Sequence, residues 1–167
     1  MDEIINRVSE SKLVVFDLED YYASGIRKHI DISQWLEGGF LLREKQFRAD
    51  LKNYAWSQYQ DCLVSISSST NAIIPAWATI LLTIYLTPYA KKICGGNTEA
   101  LESALYQEIL PLLDYTEYLN KSVIIKGCAK KPVPMSAYVL AAQYLQPFAS
   151  SIMYGEACSA VPLFKRK

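Results

Sequence analysis

VIIKGCAKKPVP, residues 123–134, is the stretch that orders the chain. An apolar run rich in β-branched residues stops at Gly127 and Cys128, and helical spacing resumes behind Pro134, so the pattern predicts a buried strand, a tight loop and a helix. The loop carries a thiol beside Lys130 and Lys131. Ammonium groups and the unpaired amides of a helix start both raise the local potential, which favours thiolate over thiol.

The same grammar occurs a second time. At a constant spacing of 59 positions, residues 64–96 match residues 123–155 without a gap, with eleven identical pairs. They include Val64 with Val123, Ile66 with Ile125, Pro75 with Pro134, Leu81 with Leu140, Tyr85 with Tyr144, Pro88 with Pro147 and Gly96 with Gly155. Each copy reads as a short buried strand, a loop, and a proline in the first helical turn, where its missing amide costs nothing. Pro88 and Pro147 predict a kink or break in each helix, and Gly96 and Gly155 the left-handed residue that ends it. Ser136, Gln143, Gln146 and Ser150 form a polar stripe where the first copy has Trp77, Ile84, Thr87 and Lys91, which predicts that the first helix is the more deeply buried.

Length and composition narrow the classes of function. The 167 residues, half of them apolar, suit a single domain spanning residues 1–167. Seventeen acidic residues balance seventeen basic ones, so there is no global attraction to phosphate backbones and no nucleic-acid partner is expected. The opening MDEIINRVSE has no apolar core of the kind a secretory signal needs, which points to a cytoplasmic protein. Residues 72–86 form the longest apolar run, but Pro75, Thr79 and Thr83 interrupt it and it falls short of the ~20 residues a bilayer requires, so no membrane is expected either. The four cysteines, at 62, 94, 128 and 158, lack CxxC spacing, and reduced thiols follow for a cytosol.

Around the repeat, Asp2 is placed to cap a short helix carrying Ile4, Ile5 and Val8 on one face. Residues 13–18 read as a strand that leaves the core through Asp17, Glu19 and Asp20, a solvated strand end. Residues 28–32 alternate and predict a second strand, paired with the first as an N-terminal β-hairpin. Phe47, Leu51 and Tyr54 recur at helical spacing, with Trp56 and Tyr59 closing that helix on the core. Asn97 or Thr98 caps a further helix bearing Leu101, Leu105 and Ile109, and residues 161–164 suggest a last strand kept at an edge by Pro162. The expected fold is α/β, a mixed sheet covered by helices, with the internal strand-loop-helix repeat and the hairpin attached. Both repeat loops are expected together at the carboxyl ends of the strands, where such sheets bind ligands.

In the alignment of the copies, Ser69, Thr70 and Asn71 match Cys128, Ala129 and Lys130. One loop is rich in hydroxyls, the other in thiol and amine. Ser, Thr and Asn ahead of a helix act as caps, while with Lys130 they also suit an oxyanion cradle. No GxxxxGK[ST] run is present, and residues 128–134 lack the arginine of phosphatase-like or rhodanese-like loops. His29, the one histidine, is expected on the surface beside Asp31. Cys158 follows the second copy's terminal glycine and, if the chain turns back, pairs with Cys128 as a redox couple or as half of a soft-metal site completed by Cys62, Glu156 or an outside partner.

The segments WSQY, AIIPAWA, VIIKGCAKKPVP and GEACSAVPL, with the opening DEIINRV and SKLVVFDLE, resemble an uncharacterised bacterial family, domain-of-unknown-function family 2480. The resemblance covers nearly the whole chain. It implies a single-domain cytoplasmic protein without an established activity, encoded near iron-sulfur assembly components, and an acidic residue where this chain has Asn71. The leading expectation is an accessory protein of sulfur or metal handling, with a protein partner, a thiolate at Cys128 and Cys158 as its associate. A soft transition metal or an iron-sulfur cluster is the cofactor that reading would involve. Two alternatives stand beside it: a small-molecule or anion-binding enzyme using Ser69, Thr70, Asn71, Cys128, Lys130 and Lys131, and an interaction module presenting tyrosines to a partner.

Overall fold

A computed structural model describes residues 13–127 and 129–167. The helix expected over residues 2–8 and Cys128 itself lie outside the described residues. The chain, read from sequence as a single domain, divides into two compact units: a split unit formed by Met1–Ala23 with Leu105–Lys167, and an inserted unit, Ser24–Ala104.

The inserted unit contains strands β2 (Arg27–Asp31), β3 (Leu63–Ser67) and β4 (Lys92–Gly95) and helices α1 (Glu44–Asn53) and α2 (Ala76–Leu86). Its three strands are all parallel, in the order β2-β3-β4. The split unit contains β1 (Leu13–Asp17), β5 (Ser122–Lys126), α4 (Met135–Leu145), β6 (Ser151–Tyr154) and β7 (Val161–Lys165). Here β1, β5 and β6 are parallel and β7 runs antiparallel along β6 at the edge, with Pro162 opposite Met153 and next to a bulge at Leu163. Helix α3 (Thr98–Ile109), capped by Asn97 through the Ala100 amide at 2.9 Å, leads from one unit to the other.

The structure bears out the α/β class, and mixed strand directions occur in the split unit, but it corrects the expected pairing. β1 and β2 form no hairpin: each pairs in parallel, β1 with β5 and β2 with β3, in separate sheets. Parallel neighbours need a helical crossover, and the chain supplies one before β3 and one before β5. The two copies of the repeat therefore belong to two sheets, and their loops do not end one sheet together.

The repeat also extends upstream of residues 64 and 123. Phe47 and Tyr106, Leu51 and Leu110, Trp56 and Tyr115, and Tyr59 and Tyr118 keep the same 59-residue spacing, and all eight are buried. The Trp56 indole donates to the Leu51 carbonyl at 2.7 Å, as the Tyr115 hydroxyl does to Leu110 at 2.9 Å. Asp61 and Asn120 both adopt φ 58°, the left-handed conformation that short polar side chains tolerate.

After each helix the chain does what the sequence reading did not foresee. α2 and α4 stop ahead of Pro88 and Pro147, and the segments beyond them are the strands β4 and β6. Gly96 (φ +119°) and Gly155 (φ +114°) thus end strands, not helices. The helices are also equally buried: Ala78, Leu82 and Leu86 match Ala137, Ala141 and Leu145. The additional apolar residues Ile80 and Ile84 of α2 face solvent, at 59% and 62% exposure, which corrects the expectation of a deeper first helix.

Candidate functional site

Side chains alternate across a strand, so each sheet has a core face and an opposite face. In the split unit Phe16, Val123, Ile125 and Ile152 enter the core, and in the inserted unit Ile30, Val64 and Ile66 do the same. The opposite face carries, in register across the strands, Val15, Ile124 and Met153 in the split unit and His29, Ser65 and Cys94 in the inserted unit.

At the carboxyl end of the split unit, Asp17 accepts from the Glu19 amide at 3.0 Å and turns the chain after β1. That turn aims Glu19 at the loop beyond β5. Its Oε1 accepts from the amides of Ala129 and, at 2.7 Å, Lys130, while Lys131 Nζ donates to the Glu19 carbonyl at 3.3 Å and lies over the Tyr22 ring. The Lys130 amide above all holds the Glu19 carboxyl below its usual range, against a smaller effect of burial. Two amides expected to favour a thiolate are therefore taken by a carboxylate. Lys126 reaches Glu156 at 3.2 Å and Asp17 at 3.9 Å, and Glu156 raises the lysine's affinity for its proton. Cys158, two residues beyond Glu156, is exposed and free.

The inserted unit builds the matching end with different residues. Asp31 Oδ1 accepts from the amides of Ser33 at 2.9 Å and Ser69 at 3.0 Å, and the hydroxyls of Ser33 and Ser69 meet at 3.1 Å. Burial pushes the Asp31 carboxyl up, but the donors on Ser69 and Ser33 together outweigh it and hold it far below the usual carboxylate range. Thr70 donates to the Gly39 carbonyl at 2.6 Å. Asp31 caps the short 3-10 helix Ile32–Trp35, but Ser69, Thr70 and Asn71 do not cap α2, which begins only at Ala76 behind Pro75 and has no side-chain cap. Asn71 is exposed.

The residues expected to share a ligand site are thus divided. Ser69, Thr70 and Asn71 belong to the inserted unit, Lys130 and Lys131 to the split unit, and Cys128 lies outside the described residues. Cys62, considered as a third soft ligand, is a core residue of the inserted unit, 2% exposed, with its thiol donating to the Gln60 carbonyl. Among the described residues no three His, Cys, Asp or Glu side chains gather as metal ligands.

Sequence reading missed Glu19, Asp31 and Ser33 as the groups that hold the loops. The signal was present: FDLE (residues 16–19) and IDIS (residues 30–33) place an aspartate and then a hydrogen-bonding side chain at the same positions after each first strand. A family model described as a protein of unknown function (DUF2480) matches residues 2–166. The chain belongs to that family. No curated protein and no solved structure matches the chain. For this DUF2480 member the geometry must therefore argue for function by itself. Among the described residues no helix is long and apolar enough to cross a membrane.

Proposed function

We propose that this protein is an accessory factor of sulfur and metal handling, related to iron-sulfur maturation, that works through thiols at the carboxyl end of the split unit in a cytoplasmic, reducing compartment. The observation that supports this reading is the Lys126–Glu156 ion pair at 3.2 Å. It links the exits of the parallel neighbours β5 and β6, and Cys128 and Cys158 each stand two residues beyond one of the paired groups. Parallel pairing brings the end of β6 back beside the end of β5.

The donor set does not fit a resident cluster. A structural zinc or an iron-sulfur cluster takes four protein ligands, whereas Glu156 is committed to Lys126 and Cys62 to the inserted unit's core. Two thiols suit cargo in transit, either sulfane sulfur or a soft metal ion whose coordination a partner protein completes. In sulfur transfer the Cys128 thiolate attacks the outer sulfur of a donor persulfide, the sulfur-sulfur bond breaks, and the donor leaves as its thiolate. Lys130 and Lys131 favour the attacking thiolate, and Glu19 opposes them.

Incubation with a small-molecule persulfide under anaerobic conditions, followed by peptide mass spectrometry, tests this. The added sulfur is expected on Cys128, absent in Cys128→Ser, and retained longer in Cys158→Ser. Equal labelling of Cys94 and Cys158, or none at Cys128, would overturn the proposal.

A further inference from the structure

The internal repeat provides its own control. Where the split unit carries Val15, Ile124 and Lys126, the inserted unit, in the same register, carries His29, Ser65 and Ser67. Apolar side chains satisfy this backbone at the first two positions, so the fold does not require the imidazole or the buried hydroxyl. Ser65 is fully buried, and a buried hydroxyl is costly unless it is hydrogen-bonded. Its Oγ lies 2.8 Å from His29 Nδ1, and the other ring nitrogen, Nε2, lies 3.3 Å from Ser67 Oγ. Ser67 ends β3, the central strand of the parallel sheet, at the carboxyl edge where such sheets place ligands.

A nucleophile within reach of a base, and a base oriented by a third group, is the arrangement that activates a hydroxyl. We propose that Ser67 is a nucleophile toward activated acyl esters, with His29 as its general base and Ser65 as the positioning residue that fixes the imidazole. Nδ1–H donates to Ser65 Oγ, which leaves the Nε2 lone pair to accept from the Ser67 hydroxyl. The 3.3 Å separation is of the length usual before substrate arrives. Ser67 Oγ attacks the ester carbonyl as its proton passes to Nε2. The alcohol or phenol then leaves and takes that proton, giving acyl-Ser67. Water hydrolyses the acyl-enzyme, losing its proton to Nε2, and the proton returns to Ser67 as the acid departs.

Charge selects the substrate class. Asp31, ionised and paired in register with Ser67, makes the edge negative, while Arg27 on the same face of β2 is bound to Glu102 through two hydrogen bonds at 2.8 and 3.1 Å. Phosphate and carboxylate substrates are repelled, so neutral or cationic esters fit. Cys94 occupies the far side of Ser65, its thiol donating to the Gly95 carbonyl at 3.4 Å. This inference does not rest on the sulfur chemistry proposed for the other unit, and Cys128→Ser is expected to leave it unchanged.

The test is labelling of the full chain with a fluorophosphonate probe, located by peptide mass spectrometry, alongside release of p-nitrophenol from p-nitrophenyl acetate. Ser67 is expected to carry the adduct. Ser67→Ala abolishes it, and His29→Asn slows it by at least about a hundredfold, the low side of what general-base catalysis contributes. Ser65→Ala keeps the adduct but moves the midpoint of the rate-pH profile, a change that a purely structural hydroxyl would not cause. The unsubstituted protein provides a measurement independent of any folding defect: its labelling rate rises with pH through the imidazole range. A flat profile between about pH 5 and 8, an unaltered rate in folded His29→Asn, or adducts spread over Ser68 and Ser69 would overturn the proposal.

Discussion

Val15, Ile124 and Met153 cross one face of the split unit's sheet, and His29, Ser65 and Cys94 cross the same face of the inserted unit's sheet, in the same parallel register. The loop clamps diverge in a similar way: Glu19 reaches the amides of Ala129 and Lys130, whereas Asp31, the counterpart of Asp17 two residues earlier, reaches Ser69 directly. The ion pairs complete the contrast. Arg27 and Glu102 are mostly removed from solvent, with side-chain exposures of 19% and 8%, while Lys126 and Glu156 stand at 31% and 66%. One backbone has thus been fitted with two chemistries, thiol and amine in one copy, imidazole and hydroxyl in the other. What the copies share is required by the fold, and what they do not share is where function is to be sought.

The largest effect is expected where the inserted unit has buried charge. Glu102→Ala leaves the Arg27 guanidinium without its bidentate partner, and removing one member of a buried pair costs about 3 kcal/mol, the low end of the usual range because Arg27 keeps some exposure. Urea denaturation followed by tryptophan fluorescence reads the inserted unit, since Trp35, Trp56 and Trp77 all lie within it. The double variant Arg27→Met, Glu102→Leu is expected to recover most of the loss. A Glu102→Ala midpoint equal to that of the unsubstituted protein would show that the pair is no more than a surface contact.

The second comparison concerns the clamps and has a definite sign with pH. Asp31 has a folded-state pKa below its unfolded value of ~3.9. Its contribution is therefore complete above about pH 4 and is lost as pH falls toward the folded-state value. Asp31→Asn is expected to cost about 1–2 kcal/mol at neutral pH, the scale of charge-assisted hydrogen bonds, and to flatten the acid limb of the stability curve. Glu19→Gln removes a contribution of the same sign, since that carboxyl is also held below its usual range, but at the exposed loop of the split unit it is expected to flatten the acid limb less than Asp31→Asn does. Equal acid sensitivity of the two variants would remove the distinction between the clamps.

The sequence showed the repeat where identities are dense and concealed it upstream, where Leu51 with Leu110 and Tyr59 with Tyr118 are isolated among pairs that keep only their class. Phe47 and Tyr106, or Trp56 and Tyr115, fill the same core positions with different rings, so an identity count stops short of them. β1 was legible from its branched residues and β2 from alternation, but neither signal names a partner: Leu13 pairs with Ser122 and Arg27 with Leu63, choices made by the intervening helices. β4 and β6 are four residues each, too short to alternate visibly, so that the breaks expected at Pro88 and Pro147 occur but the strands behind them were not foreseen. The loops were singled out as candidates. The carboxylates that hold them were not, because Glu19 and Ala129 lie 110 positions apart.

The smallest stability effect is the one that bears most directly on the thiols. Lys126→Met removes the exposed cation that Glu156 and Asp17 share, and exposed ion pairs are screened by water and salt. The denaturation midpoint is expected to stay where it is. The reactivity of the flanking cysteines is expected to change, because the ammonium group is one of the positive charges beside the exits of β5 and β6, and losing it while Glu19 and Glu156 remain leaves that end more negative. A thiolate is then harder to form, so alkylation of Cys128 and Cys158 by iodoacetamide slows, and it slows more at low ionic strength than at high. Cys94, in the other unit, serves as the internal reference and keeps its rate. If all three thiols keep their rates in Lys126→Met, the ion pair links two strand exits without influencing the sulfur atoms beyond them, and the main support for thiol chemistry in the split unit is gone.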